Sequence, residues 1–315
     1  MRPPCQSASP LRSASPNAPE PRGATAEHLA AETGTCAPAL RRLLDHLVTI
    51  GVFDFDLTSN RFHPTSLGLQ LTEDWPKILL DINGAGGRAD LAFVDLLGTI
   101  TTGAPAYPQR YGREFWADLD TNPELRSSFD AQMHWRFQVQ APQIAARFDW
   151  GRFSEVIDVG GGDGFVLAAI LQAHPDLRGR VLDLCPTAVA AADRFATAGL
   201  DDRARALSGN FFDPLPVGVD AYLLCDILHD WDDDHARRIL AGCRRAAAPD
   251  GSVVVIEPVK GHGVGTAIDL FMLMCFAGRE RTVDELAALA AECGLELRGS
   301  SPVADGRTAM EFVPR

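Results

Sequence analysis

Three patterns of apolar and polar residues follow one another along the chain. In the first, residues 23–75, Thr25 can cap a helix running to Glu32, and Leu40, Leu43, Leu44 and Leu47 recur on one face of a second helix. Val52 to Leu57 and Arg61 to His63, separated by Thr58-Ser59-Asn60, read as two short strands joined by a turn. Helix, helix, hairpin is the outline of a winged helix. In the second, residues 76–150, the pattern is helical and aromatic, with Phe93, Tyr107, Tyr111, Phe115, Trp116, Phe129, Trp135 and Phe137 at spacings that mostly suit a core. In the third, residues 151–315, apolar runs at 155–159, 180–184, 220–224 and 252–257 and a terminal pair near 295–299 and 308–313 read as strands. Helices near 164–173, 186–198, 233–247 and 282–293 separate them. That alternation predicts an α/β, doubly wound sheet with helices on both faces, whose ligands collect at the carboxyl ends of the strands.

The notable polar residues fall at those strand ends. The run Glu155 to Phe165, EVIDVGGGDGF, passes from a buried strand through Asp158 into a turn of Gly160, Gly161, Gly162 and Gly164. Its D-x-G-x-G-x-G spacing differs from the dinucleotide fingerprint G-x-G-x-x-G, and the Gly-Lys-Ser/Thr of a phosphate-binding loop is absent. The turn favours S-adenosylmethionine. Asp183 ends the next apolar run, 21 residues after Gly162, where an acid can accept both hydroxyls of a ribose. After the third run come Cys225 and His229. A histidine near a strand tip suits a general base at neutral pH, and deprotonation of a phenol fits it. Glu257 ends SVVVIE and Glu280 lies in AGRERT, either placed to orient that imidazole, although Glu280 could instead pair with Arg279 or Arg281.

Composition narrows the partners. The net charge of −13 repels phosphate backbones, and residues 23–75 alone hold three basic against seven acidic side chains, so nucleic acid is disfavoured. Hydrophobic residues make up 46% of the chain, without a run long enough to span a bilayer, so no membrane partner is expected. Seven scattered cysteines without a C-x-x-C pair suggest neither disulfides nor a metal site, and point to a reducing cytoplasm. Residues 1–22, with six prolines and four serines, predict a disordered tail or, equally, a translation start placed too early. They resemble a transit peptide only faintly.

Taken together, VIDVGGGDG, VLDL, GNFFDPLP, LHDW, VIEP and GRERT resemble the S-adenosylmethionine-dependent O-methyltransferases of the plant caffeate and bacterial polyketide-tailoring type, over roughly residues 23–312. The resemblance implies a Rossmann-like methyltransferase domain at 151–315, a winged-helix dimerisation domain at 23–75, and a homodimer. It implies His229 as base, flanked by Glu257 and Glu280. It implies a cofactor held by Asp158, Gly160, Gly162 and Asp183, with Asn210, Phe211 and Trp231 around its adenine. Cys225 stands where the family commonly has lysine or serine, which implies a weaker contact near the cofactor's carboxylate end. The proline-serine tail replaces the family's usual first helix, and the expectation of a dimer is weaker for it. His134 and Phe137, with Met133 and Trp135, are candidates for the wall of the pocket. So are Met272 and Phe276, with Met274 beside them, suiting an apolar, adaptable site for a small hydroxylated aromatic or polyketide-like molecule. Two rival functions share these features. One is the same scaffold turned to hydroxylation, decarboxylation or cyclisation with the cofactor bound structurally. The other is a cofactor-sensing winged-helix regulator, which the acidic first region disfavours.

Overall fold

A computed structural model describes residues 23–247, 249–261 and 266–315. The tail expected at 1–22 lies outside them. Contacts divide the chain into two compact units, one up to Lys77 and one from Ile78 to Arg315.

The first unit has the helix, helix, hairpin order read from the sequence. Thr25 caps α1 (Ala26–Thr33) by accepting the amide of His28, and α2 (Ala37–Thr49) follows. Strands β1 (Phe53–Asp56) and β2 (Arg61–Pro64) pair antiparallel, and Ala24 forms a further bridge to Phe62. Ala26, Leu44 and Phe62 are the buried centre of this unit, with Leu29, Leu40 and Phe55 packed around them. Leu43 departs from the expected buried face: it is 52% exposed, so the apolar stripe of α2 is wider than what this unit covers. Short α3 (Ser66–Gln70) and α4 (Asp74–Leu80) come next.

The second unit begins with α5 (Ala85–Ala92), α6 (Leu96–Thr102), α7 (Ala106–Tyr111), α8 (Phe115–Thr121) and the long α9 (Pro123–Arg147). These helices belong to the same compact unit as the sheet that follows. The sheet strands are β3 (Glu155–Val159), β4 (Arg178–Asp183), β5 (Ala204–Ser208), β6 (Ala221–Cys225), β7 (Ser252–Glu257), β8 (Leu295–Ala304) and β9 (Arg307–Pro314). Their spatial order is β5-β4-β3-β6-β7-β9-β8, parallel from β5 to β7 and antiparallel thereafter. Helices α10 (Phe165–Ala173), α11 (Cys185–Thr197), α12 (Asp233–Ala246), α13 (Ala267–Cys275) and α14 (Val283–Glu292) complete the unit.

Alternation along the strands supplies two cores, one on each face of the sheet. Val156, Leu223, Val254 and Ile256 pack with Leu167 and Ile170 of α10 and Phe195 of α11. Ile157, Leu224, Val253 and Val255 pack with Ile239 and Leu240 of α12 and Leu286 of α14. The α/β doubly wound fold is as expected. One strand, β5, was not anticipated: it is an edge strand of sequence ARALS with partly exposed positions and no β-branched side chain.

Ile157 is fully buried on central β3. Ile157→Ala is expected to destabilise the second unit by about 2–5 kcal/mol, read as a lower urea midpoint at unchanged slope.

Candidate functional site

The turn after β3 is built for close approach. Gly160, Gly162 and Gly164 all lie in the left-handed region, with φ of 74°, 61° and 75°. A Cβ on Gly160 would meet Ile227 Cδ1 at 2.6 Å. Asp183, at the tip of the neighbouring β4, accepts Gly162 N at 2.9 Å and Leu184 N at 2.7 Å, so one carboxylate ties the glycine turn to the second strand. Behind the turn, Arg194 of α11 donates to the Asp163 carbonyl at 2.9 Å, pairs with the Asp163 carboxylate, and reaches His134 Nδ1 at 3.2 Å.

Gly160, Gly162, Asp163, Asp183 and His134 border a cavity of about 690 Å³. Asp158, Gly160, Gly162, Asp183, Asn210, Phe211, Cys225 and Trp231 all border it, as the sequence reading placed them together. Asn210 turns its Oδ1 to its own loop, accepting Phe212 N at 2.9 Å. Elsewhere the wall is aromatic and apolar. His134, Phe137, Met272 and Phe276 reach it, whereas Met274 is packed in the core. Phe276 stacks on Trp116 with centroids 5.3 Å apart, and Phe129 meets Trp116 edge-on at 5.4 Å.

His229 also lines the cavity, on a short turn (Leu228–Asp230) just past β6. The turn is clamped through its backbone. Glu257 Oε1 accepts from Leu228 N and, at 3.2 Å, from His229 N. The fully buried Arg281 guanidinium donates to Leu228 O at 2.9 Å and Trp231 O at 2.8 Å, and is matched by Asp233. Gly278 lets its segment close in, since a Cβ there would strike the His229 carbonyl. Just before the turn, Asp226 adopts φ of 52° and is gripped by both Nε and Nη2 of Arg307 from β9.

This geometry corrects part of the expected constellation. Glu257 does not flank the imidazole, because its carboxylate is engaged by backbone amides and lies outside the cavity wall. Glu280 makes no hydrogen bond to His229 either: Oε1 is buried without a partner, while Arg279 and Arg281 pair with Asp233 and Glu285. The acid nearest the ring is Asp230, whose Oδ1 is 3.5 Å from Nε2, and Nδ1 has no hydrogen-bond partner. Asp226 and Arg307 carry no signal along the sequence, and Arg281 enters there only as a possible partner of Glu280. Asp226 and Arg307 are 81 residues apart, and only the fold joins them.

Burial dominates the electrostatics. It lowers the His229 pKa to about 4, with Asp226 opposing and Arg136 and Arg307 assisting, so the imidazole is neutral at pH 7. Glu257 is pushed up to about 8 by burial and then by Asp226. Burial would also raise Asp226, but Arg307 and Arg136 hold it well below the usual carboxylate range. Asp158 is pushed up to about 8 by burial and the nearby Asp183, and both its oxygens are buried without a hydrogen bond.

The fold and this site define a class. Residues 93–296 match the family model for the O-methyltransferase domain, and the chain belongs to that family of S-adenosylmethionine-dependent enzymes. Among its relatives is the 2,7-dihydroxy-5-methyl-1-naphthoate 7-O-methyltransferase of Streptomyces carzinostaticus, 47% identical over 89% of this chain and 85% of the relative. The aclacinomycin 10-hydroxylase RdmB of Streptomyces purpurascens is 42% identical over 90% of this chain and 78% of the relative. A crystal structure of the O-methyltransferase NcsB1 from neocarzinostatin biosynthesis, in complex with S-adenosylmethionine and 2-hydroxy-5-methyl naphthoic acid, superposes with TM-score 0.87 at 45% identity, covering 92% of this chain and 89% of that one.

The residues present fit the cofactor. Two carboxylates at adjacent strand tips, one with orphaned oxygens, offer acceptors to a cationic, hydroxyl-bearing ligand, and the Phe211 and Trp231 rings, 6.0 Å apart and edge to face, border the same space. Among the described residues, no group of three or more His, Cys, Asp or Glu could hold a metal ion.

The raised Asp158 pKa has a consequence for the ligand-free protein. Between the ordinary 3.8 and about 8, the folded chain keeps a proton that the unfolded chain has released, so stability falls as pH rises through that window. The melting temperature is expected to fall from about pH 6 to about pH 9, and Asp158→Asn to reduce that slope; equal slopes in the two proteins contradict the assignment.

Proposed function

We propose that the enzyme methylates a hydroxyl of a small aromatic, polyketide-like secondary metabolite, and that His229 removes the hydroxyl proton. The observation that carries this reading is a buried, neutral imidazole set in the wall of a cavity whose other walls are a glycine turn with two carboxylates and a cluster of aromatic rings. Relatives named for methylation of a naphthoate support the acceptor class.

Bound S-adenosylmethionine supplies a methyl group already activated on a sulfonium. The protein's own work is positioning and the movement of one proton. Asp183, with Gly160 and Gly162, holds the ribose end, and Asn210, Phe211 and Trp231 enclose the adenine. Asp158 and Cys225 complete the cofactor wall. Phe129, Trp116 and Phe276 set the plane of the acceptor ring and exclude water. Glu257 and Arg281 fix His229 by its backbone, and Asp230, with Oδ1 3.5 Å from Nε2, is the acid nearest the ring. Glu280 acts from behind this group.

We also infer that the first unit is a winged helix used for dimerisation rather than for nucleic acid. Its large exposed apolar side chains, Leu43, Ile50 and Leu57 among them, support a protein partner, and its acidic balance opposes DNA. A cytoplasmic setting follows the scattered cysteines without a C-x-x-C pair in the sequence. Among the described residues no helix is long and apolar enough to cross a membrane.

A second reading has one specific support, the 42% identical relative named as a hydroxylase. Release of demethylated cofactor during turnover separates the two. Conversion of an acceptor without that release would favour the second.

His229→Ala is expected to cut turnover by about 100-fold or more while S-adenosylmethionine still binds, and near-wild-type turnover would remove His229 as the base. Asp183→Ala is expected to weaken cofactor binding about tenfold or more by calorimetric titration, as loss of a buried acceptor of ligand hydroxyls should; unchanged affinity would move the ribose elsewhere.

A further inference from the structure

The cavity wall contains a guanidinium without a hydrogen bond. Arg136 projects from α9 into the wall, close enough to His229 to depress the imidazole's pKa. It makes no hydrogen bond to a described residue, and its Nη2 is shielded from solvent without a hydrogen-bond partner. The nearest acidic oxygen, Asp226 Oδ2, lies at 3.6 Å. That carboxylate is already engaged at both oxygens by the Arg307 fork.

The other groups that face this corner do not neutralise it. Asp230, Glu257 and Glu280 are all pushed toward their neutral forms, in each case first by burial. Arg281 is matched by Asp233 and is no source of negative charge. Two guanidinium groups, Arg136 and Arg307, therefore face one firmly ionised carboxylate, Asp226. Arg136 and Arg307 thus share one carboxylate beside His229, and the Arg307 fork takes both of its oxygens.

A buried cation without hydrogen bonds is costly, and a planar guanidinium is shaped to take a carboxylate through two parallel bonds. We propose that Arg136 holds a carboxylate carried by the acceptor next to its reacting hydroxyl, so that the acceptor class is a hydroxyarene carboxylic acid. The proposal rests on the acceptor reading above and narrows it. It also answers a problem of charge. A protein of net charge −13 repels an anionic acceptor at long range, and a cation fixed in the wall compensates where the acceptor docks. The same contact would set the acceptor's orientation in an otherwise apolar site, since stacking rings leave it free to turn in its plane.

The test is a pair of calorimetric titrations into protein saturated with S-adenosylhomocysteine, one with an ortho-hydroxynaphthoic acid and one with the matching naphthol. Wild-type protein is expected to bind the acid about tenfold or more tightly than the naphthol. Arg136→Gln should abolish that preference and Arg136→Lys should keep part of it. The affinity of each variant for S-adenosylhomocysteine, measured first, reports whether its site is folded. If Arg136→Gln fails that control, the lysine variant decides, because it keeps the charge and loses the fork. Equal affinities in the wild type, no measurable binding of either ligand, or a preference unchanged in the variants would overturn the proposal and leave Arg136 as an internal counter-ion of Asp226 and Glu280. Release of demethylated cofactor from either ligand tests methyl transfer separately, so a chain that methylates without preferring the acid loses this inference and keeps the reaction.

Discussion

The acceptor side of this enzyme depends on one buried ion pair, Asp226 with Arg307. Both side chains are almost fully enclosed, and the carboxylate is held through two bonds from a single fork. Asp226 sits directly after β6 in a left-handed conformation that aspartate adopts only with support. Arg307 reaches it from β9, on the far side of β7 in the sheet. The pair thus fastens the exit of one strand across a second strand to a third, and the turn that follows carries His229. Removing either partner would leave a buried charge uncompensated, a loss of about 3–5 kcal/mol in comparable sites.

That anchor also bears on His229 as the proposed base. Among buried charges of both signs, burial wins at His229 and leaves a neutral ring whose conjugate acid is strong. A ring with a pKa of about 4 is available at every pH near neutrality but pulls weakly on a phenol proton. Proton removal then relies on making the departing anion easier to form. Of the three guanidinium groups that help depress the histidine, Arg136 borders the cavity and is the one able to do this, because a cation that disfavours imidazolium favours a phenolate in the same place. A low base pKa and a cationic floor are therefore two faces of one arrangement.

How much of this could be read along the chain follows from how far apart its parts lie. Strands 155–159 and 252–257 match β3 and β7 end to end, because buried parallel strands are unbroken apolar runs. The glycine turn and Asp183 were legible for the same reason: each is contiguous with a strand whose end is marked. Strand β5 was not, since an edge strand with Arg205 at its second position has neither an apolar run nor clean alternation. Helix α13 was read only as a segment, its AIDLFMLMC being too uniformly apolar to show a period. Glu257 and Glu280 lie at the expected strand end and loop, yet neither hydrogen-bonds the His229 ring. A sequence can place a carboxylate at a strand tip, but whether it turns toward a ring or toward two amides is decided by packing around Gly278 and Arg281.

The two halves of the cavity differ in the same way, and the difference bears on what the scaffold can become. The cofactor half comes from neighbouring strand tips, where a few local residues set the geometry. The acceptor half is assembled from α8, α9 and α13 and from the turn after β6, segments far apart in sequence and joined through aromatic contacts and two guanidinium groups. A substitution in the first half disturbs a tightly determined turn in which an added Cβ already collides with its neighbour. One in the second half re-shapes a wall of rings and methionine side chains that can repack around a new volume. Relatives named as a naphthoate 7-O-methyltransferase and as an aclacinomycin 10-hydroxylase are 47% and 42% identical to this chain. In this chain that repackable wall also carries Arg136, a buried guanidinium without a hydrogen bond.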